Sequence, residues 1–251
     1  MASYIDAYTK PDGTAPWVGD SDNGRALDFG SDINDHRYLV HVIFQEYGNQ
    51  KYIAKSILTP EALWWLGYVP LTDNMSSSAY ETRASEVFAS AGNFIMHGHN
   101  DYVFIDCGHV GLAGRGGHGH NDCLSFVAVL AGCELVCDTG SYVYTSNYKE
   151  RQRRRGTQCH NTPMIAQQEI NRFIHPENLW FLNEDAIPRV EQWFDSSEIS
   201  VFRGSHSGYL RLSPPVRPVR EIVLDKVRSG LLIRDSFEPI YASHSVNTTL
   251  Q

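Results

Sequence analysis

The segment GRGGHGHNDCLSF, residues 114–126, places His118 and His120 two positions apart among four glycines. So many glycines disfavour a helix, and in an extended chain the side chains at positions i and i+2 lie on the same face. Both imidazoles would then point the same way, together with Asp122. A histidine pair of this kind can supply a metal ligand and, next to it, an acid–base group. The alternative is a pair of ordinary surface histidines.

Two residues further along the chain could complete a metal site. Asp138 ends the apolar run ELVCD and precedes Thr139 and Gly140, so its carboxylate either faces a site or stabilises an ordinary turn. His160 lies in QCHNT, between a basic segment and another apolar stretch. Histidine nitrogens and an aspartate oxygen are ligands that zinc accepts. These residue types therefore indicate a candidate site for a divalent metal.

The charge of the chain argues against nucleic-acid binding, which requires a basic face. The 251 residues carry a net charge of −8. One basic segment, KERQRRR at residues 149–155, is either a solvated loop or a contact for an anionic ligand. No apolar stretch is long enough to span a membrane, and the N-terminus does not resemble a signal peptide, so neither is expected on this chain.

Three further patterns are interpreted as ordinary structure. Residues 114–119 match G-x-G-x-x-G, but a strand rather than a helix is expected to follow, which excludes dinucleotide binding. The segment from Asp20 to Gly24 resembles half of a calcium loop, yet its glycine is one place early and the distal glutamate is missing, so a plain loop is predicted. The five cysteines contain no C-x-x-C and are interpreted as small hydrophobic residues.

The pattern of apolar residues divides the chain in two. Residues 34–66 should be mainly helical, and TPEALWWLG is a compact helix with Thr59 as its N-cap and Gly67 at its end. From about residue 80, short apolar or alternating runs separated by turn residues predict an antiparallel β-sandwich or barrel. The predicted strands are NFIMH, DYVFIDC, LSFVAVL, ELVCD, ISVFRG, GYLRL, REIVLDK and GLLIRD.

The motifs GGHGHNDCLSF, LVCDTGSYVY and TQCHNT, in this order, resemble those of the heparinase II/III-like polysaccharide lyases. That family joins an N-terminal α/α toroid to C-terminal antiparallel β-sheets. The resemblance implies a mainly β chain, in which residues 1–75 are the last helices of a toroid and residues 79–251 form the β-sandwich domain. We therefore expect the chain to be part of a longer protein.

The resemblance also implies roles for individual residues. The metal ligands, usually of a structural zinc ion, would be His120, Asp138 and His160. The catalytic residues would be His118, which faces the substrate, and Tyr144. The residues that contact the substrate would be Tyr142 and Arg155, because a guanidinium group suits a carboxylate or sulfate.

The implied reaction is β-elimination on an anionic polysaccharide or oligosaccharide that contains uronic acid. A base removes the C5 proton, an acid protonates the departing 4-linked sugar, and a polar group neutralises the uronate carboxylate. In the family a tyrosine and an asparagine or histidine of the toroid contribute to these steps, and they are absent here, so we expect little activity from this chain alone. The alternatives are a metal-stabilised carbohydrate-binding or scaffold domain without turnover, and a metal-dependent hydrolase. The resemblance implies a periplasmic or extracellular location.

Overall fold

The computed structural model describes residues 1–21, 24, 29–30, 32–47, 59–67, 83–239 and 243–249. Within these residues, three helices precede the β-sheets, namely α1 (Ala2–Tyr8), α2 (Arg37–Tyr47) and α3 (Pro60–Leu66). Helix α3 begins as predicted, because the Thr59 side chain accepts a hydrogen bond from the backbone N–H of Ala62. Helix α1 lies within residues 1–75, which the resemblance assigns to the last helices of a toroid. Residues 48–58, within the predicted helical region, and the predicted domain boundary at 75–79 lie outside the described residues.

The strands form antiparallel sheets, which confirms the predicted fold class. One sheet has the strand order β1-β2-β3-β4-β5, a second has β10-β9-β8-β7, and β11 pairs with β6. The strands are β1 (Glu86–Phe88), β2 (Asn93–His97), β3 (Tyr102–Asp106), β4 (Phe126–Leu130), β5 (Cys133–Val136), β6 (Met164–Ile165), β7 (Pro188–Asp195), β8 (Ile199–His206), β9 (Arg217–Asp225), β10 (Gly230–Glu238) and β11 (Val246–Asn247).

One predicted strand is wrong. Residues 208–212, GYLRL, form turns, because the carbonyl oxygen of Tyr209 accepts backbone hydrogen bonds from Leu212 and Val216. The hydroxyl of Tyr209 donates to the carbonyl oxygens of Pro163 and Gln168, and this side chain is fully buried. The alternating large residues of this segment therefore belong to a buried turn and not to a β-strand.

The two large sheets pack face to face around one apolar core. The five-stranded sheet contributes Phe94, Met96, Val103, Ile105, Phe126 and Ala128, and the four-stranded sheet contributes Phe202, Ile222 and Leu224. The opposite face of the five-stranded sheet is covered by α1, whose Ala7 packs in a second cluster with Ile95, Tyr102, Phe104, Val127 and Val129. Strands β2 and β3 are therefore buried on both faces, which explains their nearly continuous apolar sequences.

The basic segment forms a helix, α4 (Tyr148–Arg155), and not a solvated loop. The Asn147 side chain accepts from the backbone N–H of Glu150 and thereby caps its first turn. Arg151 and Arg155, four positions apart on one face of this helix, are both completely buried. No helix within the described residues is long and apolar enough to cross a membrane.

Arg220 in β9 connects the second sheet to the loops around the histidines. Its guanidinium group donates to both carboxylate oxygens of Asp235 at 2.8 Å, and to the backbone carbonyls of Leu124 and Asn161. Only 1% of the Arg220 side chain is exposed. A charge buried to this degree is stable only because its partners replace the lost water.

Replacing Arg220 by alanine should lower the free energy of unfolding by about 3 kcal/mol, because it leaves the Asp235 carboxylate and two carbonyls without their donor. The matched control is Arg228→Ala, since that arginine also pairs with an aspartate but is 81% exposed. Its replacement should change the free energy of unfolding by less than about 0.5 kcal/mol. Urea unfolding of both variants measures the difference, and equal losses would contradict the role given to Arg220.

Candidate functional site

The histidine pair lies in the loop between β3 and β4. This loop is not a β-strand, but its glycines let it fold closely on itself: a Cβ at Gly119 would lie 2.2 Å from the carbonyl oxygen of Val110. His120 is buried, whereas 65% of the His118 side chain is exposed. Both imidazoles nevertheless turn toward one carboxylate, that of Asp20. The expectation that the pair shares a direction therefore agrees with the structure, although the backbone is irregular.

Asp20 accepts hydrogen bonds on both of its side-chain oxygens. Its Oδ1 lies 2.9 Å from Nε2 of His120, and its Oδ2 lies 3.1 Å from Nδ1 of His118. The guanidinium group of Arg151 donates to the same two oxygens at 2.6 Å each. The side chains of Asp20 and Arg151 are both fully buried. Paired in this bidentate way, the carboxylate is a fixed acceptor for both histidines.

The charge of Asp20 is stabilised by these contacts. Burial alone would raise the pKa of Asp20, but hydrogen bonds from His120 and Arg151, with the positive charge of Arg151, hold that pKa well below its usual range. The backbone N–H of Asp20 also donates to the carbonyl oxygen of His118 at 3.0 Å. The N-terminal loop is therefore attached to the histidine loop through both side chain and backbone.

Two aromatic rings enclose the Arg151 guanidinium group. Its central carbon lies 4.8 Å from the ring centroid of Tyr144 and 4.6 Å from that of Trp180. Such contacts favour a buried cation. The His118 ring lies beside the same two rings, with centroids 5.5 Å from Trp180 and 6.5 Å from Tyr144. The exposed imidazole of His118 therefore lies beside the two aromatic rings and the Asp20–Arg151 ion pair.

His120, Asp138 and His160 converge, with one potential ligand atom of each residue lying within 4.8 Å of the others. Nδ1 of His120 and Nε2 of His160 are buried and have no hydrogen-bond partner among the residues that the structure describes. A buried polar atom without a partner is costly, and a metal ion would satisfy both nitrogens. Two imidazoles and a carboxylate also match the donor set of zinc. The three residues therefore fit a divalent metal, and their role as its ligands stays a prediction.

The electrostatics of this cluster are dominated by the pair of Asp138 and His160. Nδ1 of His160 lies 2.7 Å from Oδ2 of Asp138. Burial opposes charge on both groups, but their mutual hydrogen bond outweighs it and holds the pKa of Asp138 below, and that of His160 above, its usual value. The backbone N–H of Gly140 donates to the other oxygen of Asp138 at 2.8 Å. The carboxylate at the end of this apolar run therefore faces the cluster, not only a turn.

Arg155 does not lie where a substrate could contact it. Its side chain is completely buried, and its guanidinium group donates to the backbone carbonyls of Gly116, Gly119 and Leu179. Burial, with the nearby charge of Arg151, lowers the pKa of Arg155 to about 10. These contacts argue against the predicted binding of a substrate anion. Arg155 instead organises the glycine-rich loop that carries the histidines.

The two tyrosines of the GSYVY segment have different surroundings. Tyr142 is 71% exposed, and its ring stacks with the guanidinium group of Arg154 at 5.3 Å, so its predicted contact with substrate is sterically possible. The Tyr144 hydroxyl donates to the backbone carbonyl of Asp20 at 3.2 Å, and its ring packs on Arg151. This position supports the buried ion pair, and a direct catalytic role for Tyr144 stays a prediction.

The sequence interpretation did not identify Asp20, Arg151 or Trp180. Asp20 was assigned to a plain loop, and Arg151 was counted only as part of a basic segment. The spacing of Arg151 and Arg155 gave no signal, because Lys149 and Arg153 in the same segment are also four apart and are exposed. No local signal pointed to Trp180.

A cavity of about 840 Å³ adjoins His160 and is lined by polar residues that include Thr157, Thr162 and Glu169.

Solved structures with a similar fold include proteins described as heparan sulfate lyase and as heparinase III. A heparan sulfate lyase HepC mutant from Pedobacter heparinus aligns with a TM-score of 0.63 and 15% identity, covering 94% of this chain and 31% of the lyase. A heparinase III gene product aligns at 0.61 and 17%, covering 94% and 31%. A further heparinase III aligns at 0.60 and 12%, covering 93% and 33%. At these identities the likeness shows the fold alone, and the chain spans about a third of these lyases.

Sequence comparison identifies the family. No curated protein sequence matches the chain. The sequence profile described as Heparinase II/III-like, C-terminal matches residues 81–244, which is more than half of the chain and contains the histidine loop, α4 and both large sheets. The chain therefore belongs to the heparinase II/III-like, C-terminal family.

Proposed function

We propose that this chain is the β-sheet part of a polysaccharide lyase that cleaves a uronate-containing glycan by β-elimination. One observation carries the proposal: the exposed imidazole of His118 is held by a buried ion pair at the edge of the His120, Asp138 and His160 cluster. A surface histidine without function has no need of such support. Membership of the heparinase II/III-like family supports a polysaccharide lyase reaction.

His118 is the proposed proton-transferring or charge-stabilising group. Its Nδ1 is directed at Asp20, which leaves Nε2 available on a side chain that is 65% exposed. A neutral imidazole with one free lone pair can accept the C5 proton of a uronate or stabilise the charge that develops there. The positively charged Arg151 lies behind Asp20 and is completely buried, so it acts through Asp20 and not on the substrate.

The proposed zinc ligands are His120, Asp138 and His160. When bound, the ion would supply a cross-link between the histidine loop and the segments that follow β5 and α4, and it would fix the backbone that presents His118. The role is structural. His120 is two positions from His118, so a ligand bond at one histidine restricts the position of the other.

The substrate is proposed to be an anionic polysaccharide or oligosaccharide. Similar folds occur in proteins described as a heparan sulfate lyase and as heparinase III, so heparan sulfate is the first probe and alginate, another polyuronate, is the second. The proposed contacts for sugar rings are Tyr142, which is exposed, and Trp180, which is partly exposed and lies beside the ring of His118. We also propose that the protein acts in the periplasm or outside the cell.

The test is an elimination assay on the protein as its gene encodes it. β-Elimination leaves a C4=C5 double bond that absorbs in the ultraviolet, whereas hydrolysis produces new reducing ends without this chromophore. We expect ultraviolet absorbance and reducing ends to rise together on at least one polyuronate and on no neutral glucan. Reducing ends without absorbance would identify a hydrolase, and binding without either product would identify a carbohydrate-binding domain; both results overturn the proposal.

A further inference from the structure

We propose that Asp20 is a positioning residue that sets the tautomers of His118 and His120 in opposite senses, making one a base and the other a metal ligand. The inference rests on the proposed function: its catalytic half rests on the proposed reaction and its metal half on the proposed zinc site. It depends on the juxtaposition of one buried carboxylate, one buried guanidinium group and two imidazoles, which none of the sequence motifs contains as a unit.

The ionisation of Asp20 determines the direction of its hydrogen bonds with His118 and His120. Both oxygens of Asp20 accept from Arg151 at 2.6 Å, a short bidentate contact typical of an ionised carboxylate. An ionised carboxylate has no proton to donate. The ring nitrogens that face it, Nδ1 of His118 and Nε2 of His120, must therefore be the donors.

The ring nitrogens that do not face Asp20 are Nε2 of His118 and Nδ1 of His120. If Nδ1 of His118 carries the proton, Nε2 presents its lone pair on the exposed side of the ring and can accept a proton. If Nε2 of His120 carries the proton, Nδ1 presents its lone pair inside the protein. Within the described part of the chain, Nδ1 of His120 is buried without a hydrogen-bond partner. A protonated Nδ1 would leave an unsatisfied buried donor there, whereas a lone pair at this position can bind a metal ion.

Arg151 attaches Asp20 to the histidine loop. It lies 131 positions from Asp20 in the chain and donates in addition to the carbonyl oxygens of Gly117 and Leu179. The guanidinium group therefore holds Asp20 against the backbone of the histidine loop. A metal ligand whose second ring nitrogen donates to a carboxylate is a common arrangement, and the carboxylate orients the ring. Here the same carboxylate also orients the neighbouring histidine.

The first measurement uses the unaltered, zinc-free protein with isotope-labelled histidine. Nitrogen NMR at about pH 8, where free imidazoles are neutral, distinguishes a protonated ring nitrogen from one with a lone pair. We expect His118 to be protonated at Nδ1 and His120 at Nε2. Any other pair of tautomers overturns the proposal, without recourse to a variant or to activity.

The second measurement uses Asp20→Asn, which replaces one acceptor oxygen by a donor NH₂ group. We expect zinc affinity, measured by competition with a chelator, to fall about 10- to 100-fold. We expect kcat to fall about 100-fold or more, with KM changed less than about threefold, because the free lone pair of His118 is no longer enforced. Asp12→Asn is the matched control, since that aspartate lies in the same N-terminal part and is 58% exposed; it should change neither quantity.

Asp20→Asn removes the carboxylate that neutralises the buried Arg151 charge and so destabilises the fold, and two further variants keep the test decisive. Asp20→Asn combined with Arg151→Gln removes both charges and should show the same losses with the fold intact. Arg151→Lys retains the charge and should recover most of the zinc affinity relative to Arg151→Gln. Unchanged zinc affinity in the folded double variant overturns the proposal. A wild-type protein without elimination activity would refute the proposed function, and the tautomer and zinc measurements would still decide the role of Asp20.

Discussion

Replacing His118 by alanine should lower kcat for elimination by about 10²- to 10⁴-fold, the usual contribution of a positioned acid–base group. The side chain is 65% exposed, so the substitution creates no cavity in the core. It also leaves the Asp20–Arg151 ion pair in place, because Arg151 donates to both oxygens independently of His118. The free energy of unfolding should therefore change by less than about 1 kcal/mol. The loss would be one of chemistry and not of folding.

The chain offers a closely matched control in His109. Its side chain is 60% exposed, and its Nδ1 lies 2.9 Å from Oε1 of Glu184, so it too is a surface histidine paired with a carboxylate. Among the described residues it is not a member of the His120, Asp138 and His160 cluster. His109→Ala should retain wild-type kcat and KM. Equal activity in the two variants, measured by ultraviolet absorbance of the product, would contradict the assignment of His118.

The helices and strands that neighbouring residues specify could be predicted from the sequence. Helix α3 is bounded by Thr59 and Gly67, both readable as caps, and the strands of the apolar core alternate or are continuously apolar according to the faces they bury. The order of the H-x-H, Asp138 and His160 motifs also anticipated the convergence of these side chains. In each case the residues that determine the structure are close in sequence or belong to a recognisable motif.

The ion pair behind the histidines could not be read in this way. Asp20 and Arg151 are 131 positions apart, and each lies in a segment whose composition suits solvent, a D-S-D-N-G loop and a run of basic residues. The identity of a residue does not show whether an arginine is buried or exposed, and only tertiary structure distinguishes Arg151 from Arg153. The same reason explains Arg155, for which the family resemblance implied a substrate contact but whose partners are backbone carbonyls.

Removal of zinc should destabilise the protein, and the loss should depend on free zinc concentration. A ligand that binds only the folded state at a thousandfold excess over its Kd contributes about 4 kcal/mol. Without the ion, Nδ1 of His120 and Nε2 of His160 are buried, and no described residue offers either atom a compensating hydrogen bond. We expect about one zinc per chain by elemental analysis, a fall in Tm on chelation, and recovery of Tm when zinc is restored.

His160→Ala should abolish zinc binding, and the remaining protein should no longer respond to chelation. Because alanine also removes a buried ring, the control must lose a comparable ring outside the cluster. His206 meets this condition: it is 1% exposed and its Nε2 is likewise buried without a partner, but it does not belong to the ligand cluster among the described residues. His206→Ala should lower Tm yet keep one zinc and the full response to chelation. If both variants retain zinc, the ion is held elsewhere and the ligand assignment of His160 fails, whereas loss in His160→Ala alone assigns the metal to the loop that presents His118.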